Sequence, residues 1–132
     1  MESILETKNN FRPKGRIWNG QTQNQIGGSI GLKNRGEAAQ LWYFLLEPEF
    51  RGQGLGNKLM QAFMDFLHSN DYQSAYLWTT NELPAAAHLY RKYGFKLTEE
   101  IPSKQFDKET IEQKYELNPW SFLHLKDDLS FI

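Results

Sequence analysis

The stretch Leu45-Leu46-Glu47-Pro48-Glu49-Phe50-Arg51-Gly52-Gln53-Gly54-Leu55-Gly56-Asn57-Lys58-Leu59-Met60 decides how this 132-residue chain is read. Ahead of it, the apolar run Leu41-Trp42-Tyr43-Phe44-Leu45-Leu46 reads as a buried strand. Pro48 ends that strand, because proline has no amide to give to a sheet ladder. After Arg51 come three glycines at alternate positions, then Leu55, Leu59, Phe63 and Leu67 four apart, as on one helix face. The order is strand, glycine-rich turn, helix. Such a turn presents backbone N–H groups at the positive end of a helix, which suits a phosphate or pyrophosphate. Each charge-assisted hydrogen bond there is worth about 1.5–3 kcal/mol, so a handful hold a diphosphate firmly.

Two better-known phosphate loops do not fit. Gly52-x-Gly54-x-Gly56 lacks the spacing of the dinucleotide fingerprint Gly-x-Gly-x-x-Gly, and no acidic residue closes a following strand about twenty positions on. Lys58 is followed by Leu59 rather than the Ser or Thr that holds magnesium in a Walker loop. The plainer alternative is a tight turn whose glycines only permit positive φ. An arginine before three glycines, between a strand and an amphipathic helix, weighs against it.

The pattern Leu46-Glu47-Pro48-x-x-Arg51-Gly52-x-Gly54-Leu55-Gly56-x-x-Leu59-Met60 resembles motif A of the GNAT N-acetyltransferases, the pyrophosphate loop for acetyl-coenzyme A. Downstream, Leu89-Tyr90-Arg91-Lys92-Tyr93-Gly94-Phe95 resembles that family's motif B. The likeness runs from Arg16 to Leu117. Between Tyr76 and Leu117 the chain is most similar to the acetyltransferase half of bacterial MarR-type regulators fused to such a domain, although no winged helix is present. The resemblance implies an α/β acyl-CoA N-acyltransferase-like fold: a central mixed sheet, mostly antiparallel, with one parallel splayed strand pair and helices on both faces. The family's first strand and first two helices are expected to be shortened or absent, since about fifteen residues stand in their place.

Composition narrows the field. Nine Phe, six Tyr and four Trp make disorder an unsuitable reading, and the length suits one domain over 1–132. Fifteen basic against sixteen acidic residues offer no electrostatic case for nucleic acid or an anionic membrane. The absence of cysteine excludes disulfides, thiolate metal sites and a cysteine nucleophile. Without an apolar leader or a run of membrane-spanning length, a cytoplasmic protein is expected, with no metal.

Along the chain, residues 1–15 read as an arm or one short element, and 16–118 as the core. Arg16 to Gln21 and Gln25 to Lys33 read as a hairpin turning at Gln23-Asn24. Gly27, Gly28 and Gly31 thin its second strand, as where a bulge forms or another backbone comes close. Ala38–Leu46 follows. The helix Gly54–Ser69 turns Leu55, Leu59, Phe63, Phe66 and Leu67 inward, with Gln61, Asp65 and His68 outward, and stops at Asn70-Asp71. Ser74–Thr80 is the next strand, parallel to the one before by a right-handed crossover. A helix Ala85–Tyr93, opened by Leu83-Pro84 and closed by Gly94, precedes the strands Phe95–Ile101 and Ile111–Asn118. Ser103 to Lys108 lie in the loop between these strands. The apolar tail 119–132 is expected to dock on something.

What the resemblance implies for chemistry is acetyl transfer to an amine. Main-chain groups from Arg51, Gly52, Gln53, Gly54, Leu55, Gly56, Asn57 and Lys58 surround the pyrophosphate, and pantetheine follows the strand edge at Leu45 and Leu46. Asn81 and Tyr90 complete the coenzyme site, with Tyr90 donating to the departing thiolate. The family often has asparagine where Leu83 stands, with Asn81 two places earlier. Glu47 at the strand end is the candidate base, with Glu37, Glu82, His88 or a water chain as alternatives. The partners expected are acetyl-CoA, an amine acceptor and a second copy in a homodimer. Two other readings stay open: a coenzyme A-binding sensor that does not catalyse, and a detached regulator domain whose partner binds DNA.

Overall fold

The computed structural model describes residues 3–8, 15–22, 25–52, 54–105 and 107–118. The expected turn at Gln23-Asn24, the loop residue Gln53 and the tail 119–132 lie outside them. The chain divides into two compact units, Met1–Tyr72 and Gln73–Ile132.

In the first unit, strands β1 (Ser3–Lys8), β2 (Gly15–Thr22), β3 (Gln25–Arg35) and β4 (Ala38–Leu46) run as an antiparallel meander. Of the two readings of the first fifteen residues, the short element is present, as β1. Only residues 9–14 separate β1 from β2, too few for the family's two early helices. Helix α1 (Leu55–Ser69) buries Leu55, Leu59, Met60, Phe63, Met64 and Leu67 on the sheet with Trp18, Ile30, Leu32 and Leu41. Met60 and Met64 widen the expected apolar stripe. Phe66 is only half-buried, its ring edge-on to Trp18 at 5.4 Å. Asn70 ends the helix: its backbone and side-chain N–H groups both donate to the Phe66 carbonyl, at 3.1 and 2.9 Å.

Strand β4 is not the buried strand its apolar run suggests. Trp42 is 49 % and Leu45 62 % exposed. Alternate residues of a strand face opposite sides, and a register shift opposite Gly31 and Leu32 makes Trp42 the extra residue of the ladder. The ammonium of Lys33 lies 3.8 Å over its ring, so the indole is partly screened by a cation.

In the second unit, β5 (Ser74–Thr80), β7 (Lys108–Leu117) and β6 (Lys96–Gln105) form an antiparallel sheet in the order β5-β7-β6. Helix α2 (Pro84–Lys92) starts with proline in its first turn, where no amide partner is lost. It stops at Gly94, whose φ of 97° closes the end while Phe95 N–H donates to the Tyr90 carbonyl at 3.1 Å. Ala75, Leu77, Ala87, Tyr90, Phe95, Tyr115 and Leu117 make the buried set.

The loop expected over Ser103–Lys108 is instead strand almost to its tip. The ladder continues through Ser103↔Thr110 and Lys104↔Glu109 to Gln105↔Lys108. Polar composition misled here: opposite charges and hydroxyls facing each other across strands support a ladder. Asp107, at φ 61°, takes the left-handed position of the turn.

Glycine placement ties α1 to its sheet. A Cβ on Gly28 would lie 2.8 Å from the Leu45 carbonyl oxygen and 2.9 Å from a Leu46 methyl. Backbone cannot yield as a side-chain tip can. Gly28→Ala is therefore expected to destabilise the protein by about 1–3 kcal/mol, read as a lower urea midpoint at unchanged m. An unaltered midpoint would contradict this packing.

Candidate active site

The turn after β4 is built by local backbone chemistry. Pro48 opens a single 3₁₀ turn, Pro48–Phe50. Within it Phe50 N–H donates to the Glu47 carbonyl at 2.9 Å and Arg51 N–H to the Pro48 carbonyl at 3.2 Å. Glu47 N–H bonds the Gly27 carbonyl at 2.8 Å, holding the turn to β3. Gly52 (φ 78°) and Gly54 (φ 84°) then take left-handed backbone, which side chains resist. Gly54 is the N-cap of α1, and Lys58 N–H is the first to bond back along the helix, to the Gly54 carbonyl at 3.2 Å.

This leaves a run of donors. Among the described residues, the N–H groups of Gly52, Gly54, Leu55 and Gly56 have no backbone acceptor. The N-cap residue offers no side chain to satisfy them, and the first turn of α1 carries no acid to oppose an anion. A Cβ added at Gly52 or Gly54 would meet nothing within 4 Å, so the space beside both is open. Unmatched amides, the positive end of a helix and open room together fit a phosphate group. Of the eight residues expected around a pyrophosphate, Arg51 and Lys58 have their amides already bonded, and Gln53 is outside the described residues. Arg51 folds back instead, its Nε donating to the Leu46 carbonyl at 3.4 Å.

What seats the loop is a group of residues the sequence alone did not assign to it. The position a Gly20 Cβ would take is filled by Leu55. A Cβ on Gly27 would stand 2.8 Å from the Phe50 ring and 3.1 Å from Leu55. Gly20, Gly27 and Phe50 thus belong to the site's support. The signal available was the thinning of β3 by glycine, which pointed to a close approach without naming what approaches.

The remaining candidates divide by environment. Leu45 is exposed and Leu46 half-buried at the end of β4. Asn57 is half-buried in the first turn of α1, and the Lys58 side chain is exposed. Glu47, Glu37 and His88 are all exposed. Glu82 forms an ion pair with Lys108 at 3.1 Å. Asn81 acts as a clasp: its N–H donates to the Ile111 carbonyl at 3.0 Å and its side-chain oxygen accepts the Ile111 N–H at 3.2 Å. Tyr90 differs from all of these. It is 5 % exposed, with its ring 6.4 Å from Phe95 and 6.0 Å from Tyr115. Burial, with a smaller push from the Tyr115 phenol, raises its pKa to about 12. Among the described residues no cluster of His, Asp or Glu is suited to a metal ion, and no helix is long and apolar enough to cross a membrane.

Residues 2–95 match the profile of the Acetyltransferase (GNAT) family. The chain is 27 % identical over 88 residues to N-acetyltransferase 8B of Homo sapiens, covering 62 % of this chain and 39 % of that protein. It is 28 % identical over 100 residues to the probable N-acetyltransferase camello of Xenopus laevis, covering 72 % and 46 %. The chain therefore spans less than half the length of these curated relatives. Among solved structures, a GNAT family acetyltransferase from Elizabethkingia anophelis with acetyl-CoA bound aligns with a TM-score of 0.67 at 20 % identity, over 80 % of this chain and 76 % of that one. That likeness establishes the acyl-CoA N-acyltransferase-like α/β fold expected from the sequence. With the family profile covering most of its length, the chain belongs to the GNAT acetyltransferase family.

Proposed function

We propose that the chain is a single-domain N-acetyltransferase that uses acetyl-CoA as substrate and a primary amine of a small molecule or peptide as acceptor. The observation that carries this reading is that, among the described residues, the N–H groups of Gly52, Gly54, Leu55 and Gly56 have no backbone acceptor, with open space beside Gly52 and Gly54. Main-chain donors held by a folded loop lose little entropy on binding a diphosphate, and they are charge-assisted when they do. Gly52, Gly54, Leu55, Gly56 and Asn57 hold the pyrophosphate, Gln53 with them. Leu45 and Leu46 guide the pantetheine arm at the end of β4. Acetyl-CoA supplies the activated thioester; the amine attacks its carbonyl carbon and the sulfur leaves as thiolate.

Tyr90 serves as the donor to that sulfur. A phenol with its pKa at about 12 is protonated throughout the neutral range. Complete proton transfer to a thiolate whose thiol ionises near the ordinary value of about 8.5 is uphill by roughly 5 kcal/mol. The phenol therefore acts by hydrogen bonding to developing negative charge, while solvent water supplies the proton that turns the departed thiolate into the thiol. Glu47, exposed at the strand end, is available to a water-linked base path. A cytoplasmic enzyme acting as a homodimer, with no nucleic-acid contact by this chain alone, completes the reading.

A coenzyme A-binding sensor without catalysis is the second reading. It is favoured by Leu83, 54 % exposed where the family often carries asparagine, and by the Asn81 side-chain oxygen already engaged with Ile111. The likeness to MarR-type fusions adds the variant in which such a sensor serves a DNA-binding partner.

Thiol release from acetyl-CoA across a panel of amines separates the two. The enzyme reading expects turnover with at least one amine and a fall of about 10²-fold or more in kcat for Tyr90→Phe; coenzyme binding with every amine left unmodified selects the sensor. Gly54→Val forces a branched side chain into left-handed backbone and into the open space. Calorimetry is expected to show acetyl-CoA binding weakened by tenfold or more, about 1.4 kcal/mol, and equal affinity would remove the loop assignment.

Burial of Tyr90 has its own signature. Below pH about 10 the folded and unfolded chains both keep the phenol proton, so the contribution to stability is whole. Between there and about 12 the unfolded chain ionises first, and stability falls by up to roughly 3 kcal/mol. Urea unfolding at pH 8 and pH 11 is expected to show this alkaline loss to be smaller in Tyr90→Phe. An identical loss in both proteins would mean that Tyr90 is not buried as described.

A further inference from the structure

Helix α1 covers the face of the first unit's sheet that carries Ile30, Leu32 and Leu41. The opposite face holds the alternate residues Ser29, Gly31 and Lys33 of β3, which pair with Leu45, Tyr43 and Gln40 of β4. Trp42 joins them. In a regular strand the rings of two consecutive residues point to opposite faces, but here Trp42 is the extra residue of the ladder. Its ring meets that of Tyr43 edge-on, with centroids 5.4 Å apart, and the Lys33 ammonium stands 3.8 Å over it. A bulge re-aims a side chain in this way, and bulges are over-represented beside active sites. The Tyr43 ring fills the place a Gly31 Cβ would take, so it lies against the sheet itself. Trp42 and Leu45 are both exposed and Tyr43 is half-buried. The three form one apolar row that runs along β4 to the strand end at Leu45.

We infer that Trp42, Tyr43 and Leu45 form the ledge that selects the acceptor, and that the acceptor is a primary amine with an aryl or branched apolar body close to its nitrogen. The inference rests on the proposed function, in which the pantetheine arm leaves the loop and passes Leu46 and Leu45. An amine that attacks the end of that arm lies beside β4, and the row is continuous with the strand end the arm follows. Residues two apart on a strand are separated by about 7 Å, roughly the span of a phenyl ring and a two-carbon amine. The body of such an acceptor therefore reaches Tyr43 and Trp42, which offer apolar contact and edge-to-face packing. A second ammonium on the acceptor gains nothing from Trp42, because Lys33 already holds the cation position over the indole. The same ammonium keeps the ring in place, so the ledge is formed before the acceptor arrives. Alternation read along Leu41-Trp42-Tyr43-Phe44 puts the two aromatics on opposite faces; only the ladder irregularity brings them together.

The test compares phenethylamine, ethylamine and putrescine as acceptors at saturating acetyl-CoA. The unaltered chain is expected to favour phenethylamine over either of the others by about tenfold or more in kcat/KM. Trp42→Ala, at an exposed position, is expected to bring that ratio close to one, chiefly by raising the KM for phenethylamine. Trp42→Phe is expected to keep most of the preference. The ratio reads the ledge rather than the stability of the fold, which acts on all three amines alike. A ratio near one in the unaltered chain, a preference for putrescine, or a preference that Trp42→Ala leaves unchanged overturns the inference. Should the unaltered chain acetylate no amine, the proposed function fails by itself, and calorimetry of phenethylamine in the presence of coenzyme A decides the ledge. Binding weakened about tenfold in Trp42→Ala upholds it, and equal or absent binding overturns it.

Discussion

The close approach of the first turn of α1 to β2 and β3 is the constraint on which the loop depends. Leu55 occupies the place where Gly20 lacks a Cβ, and Phe50 does the same over Gly27. Leu55 is 1 % exposed, and burying such a side chain is worth about 1.5–3 kcal/mol. That energy sets the position of the residue next to the donors at Gly54 and Gly56. The donors are aimed before any ligand arrives, which is what makes main-chain amides effective binders of anions.

Two kinds of polar group follow from two kinds of packing. In the first unit the proposed ligand-binding groups are backbone amides, without a backbone acceptor among the described residues because a helix start has none for them and glycine supplies no cap. They stand in open space and need no pKa adjustment. In the second unit the proposed donor is a side chain, and burial sets its protonation. Tyr90 stays protonated because its surroundings disfavour a phenolate. The exposed carboxylates at Glu47 and Glu37 have neither advantage.

Legibility in the sequence tracked local physics. Ala38–Leu46 and Ser74–Thr80 are found at the bounds read from their apolar runs, and Gly94 caps α2 as expected. Errors arose where neighbours across the sheet decide. Trp42 and Leu45 look like core in a continuous apolar run, yet a ladder irregularity opposite Gly31 and the alternation of a strand expose them. Ser103 to Lys108 look like a loop, yet Lys104 finds Glu109 across the hairpin. A contact the sequence does not signal is that of the Asn81 side-chain oxygen with the Ile111 N–H, which extends the pairing of β5 with β7 by one step.

From sequence alone come the order strand, glycine turn, helix, the donors that this order must leave open, and the motifs that resemble a family of acetyltransferases. These depend on proline, glycine and a repeat of four, which act within a few residues of one another. Only the tertiary structure decides which glycines admit Leu55 and Phe50, which amides are already bonded inside the turn, and that Tyr90 meets a second phenol from β7. Those outcomes turn on contacts between residues far apart in the chain, whose distances no local pattern encodes.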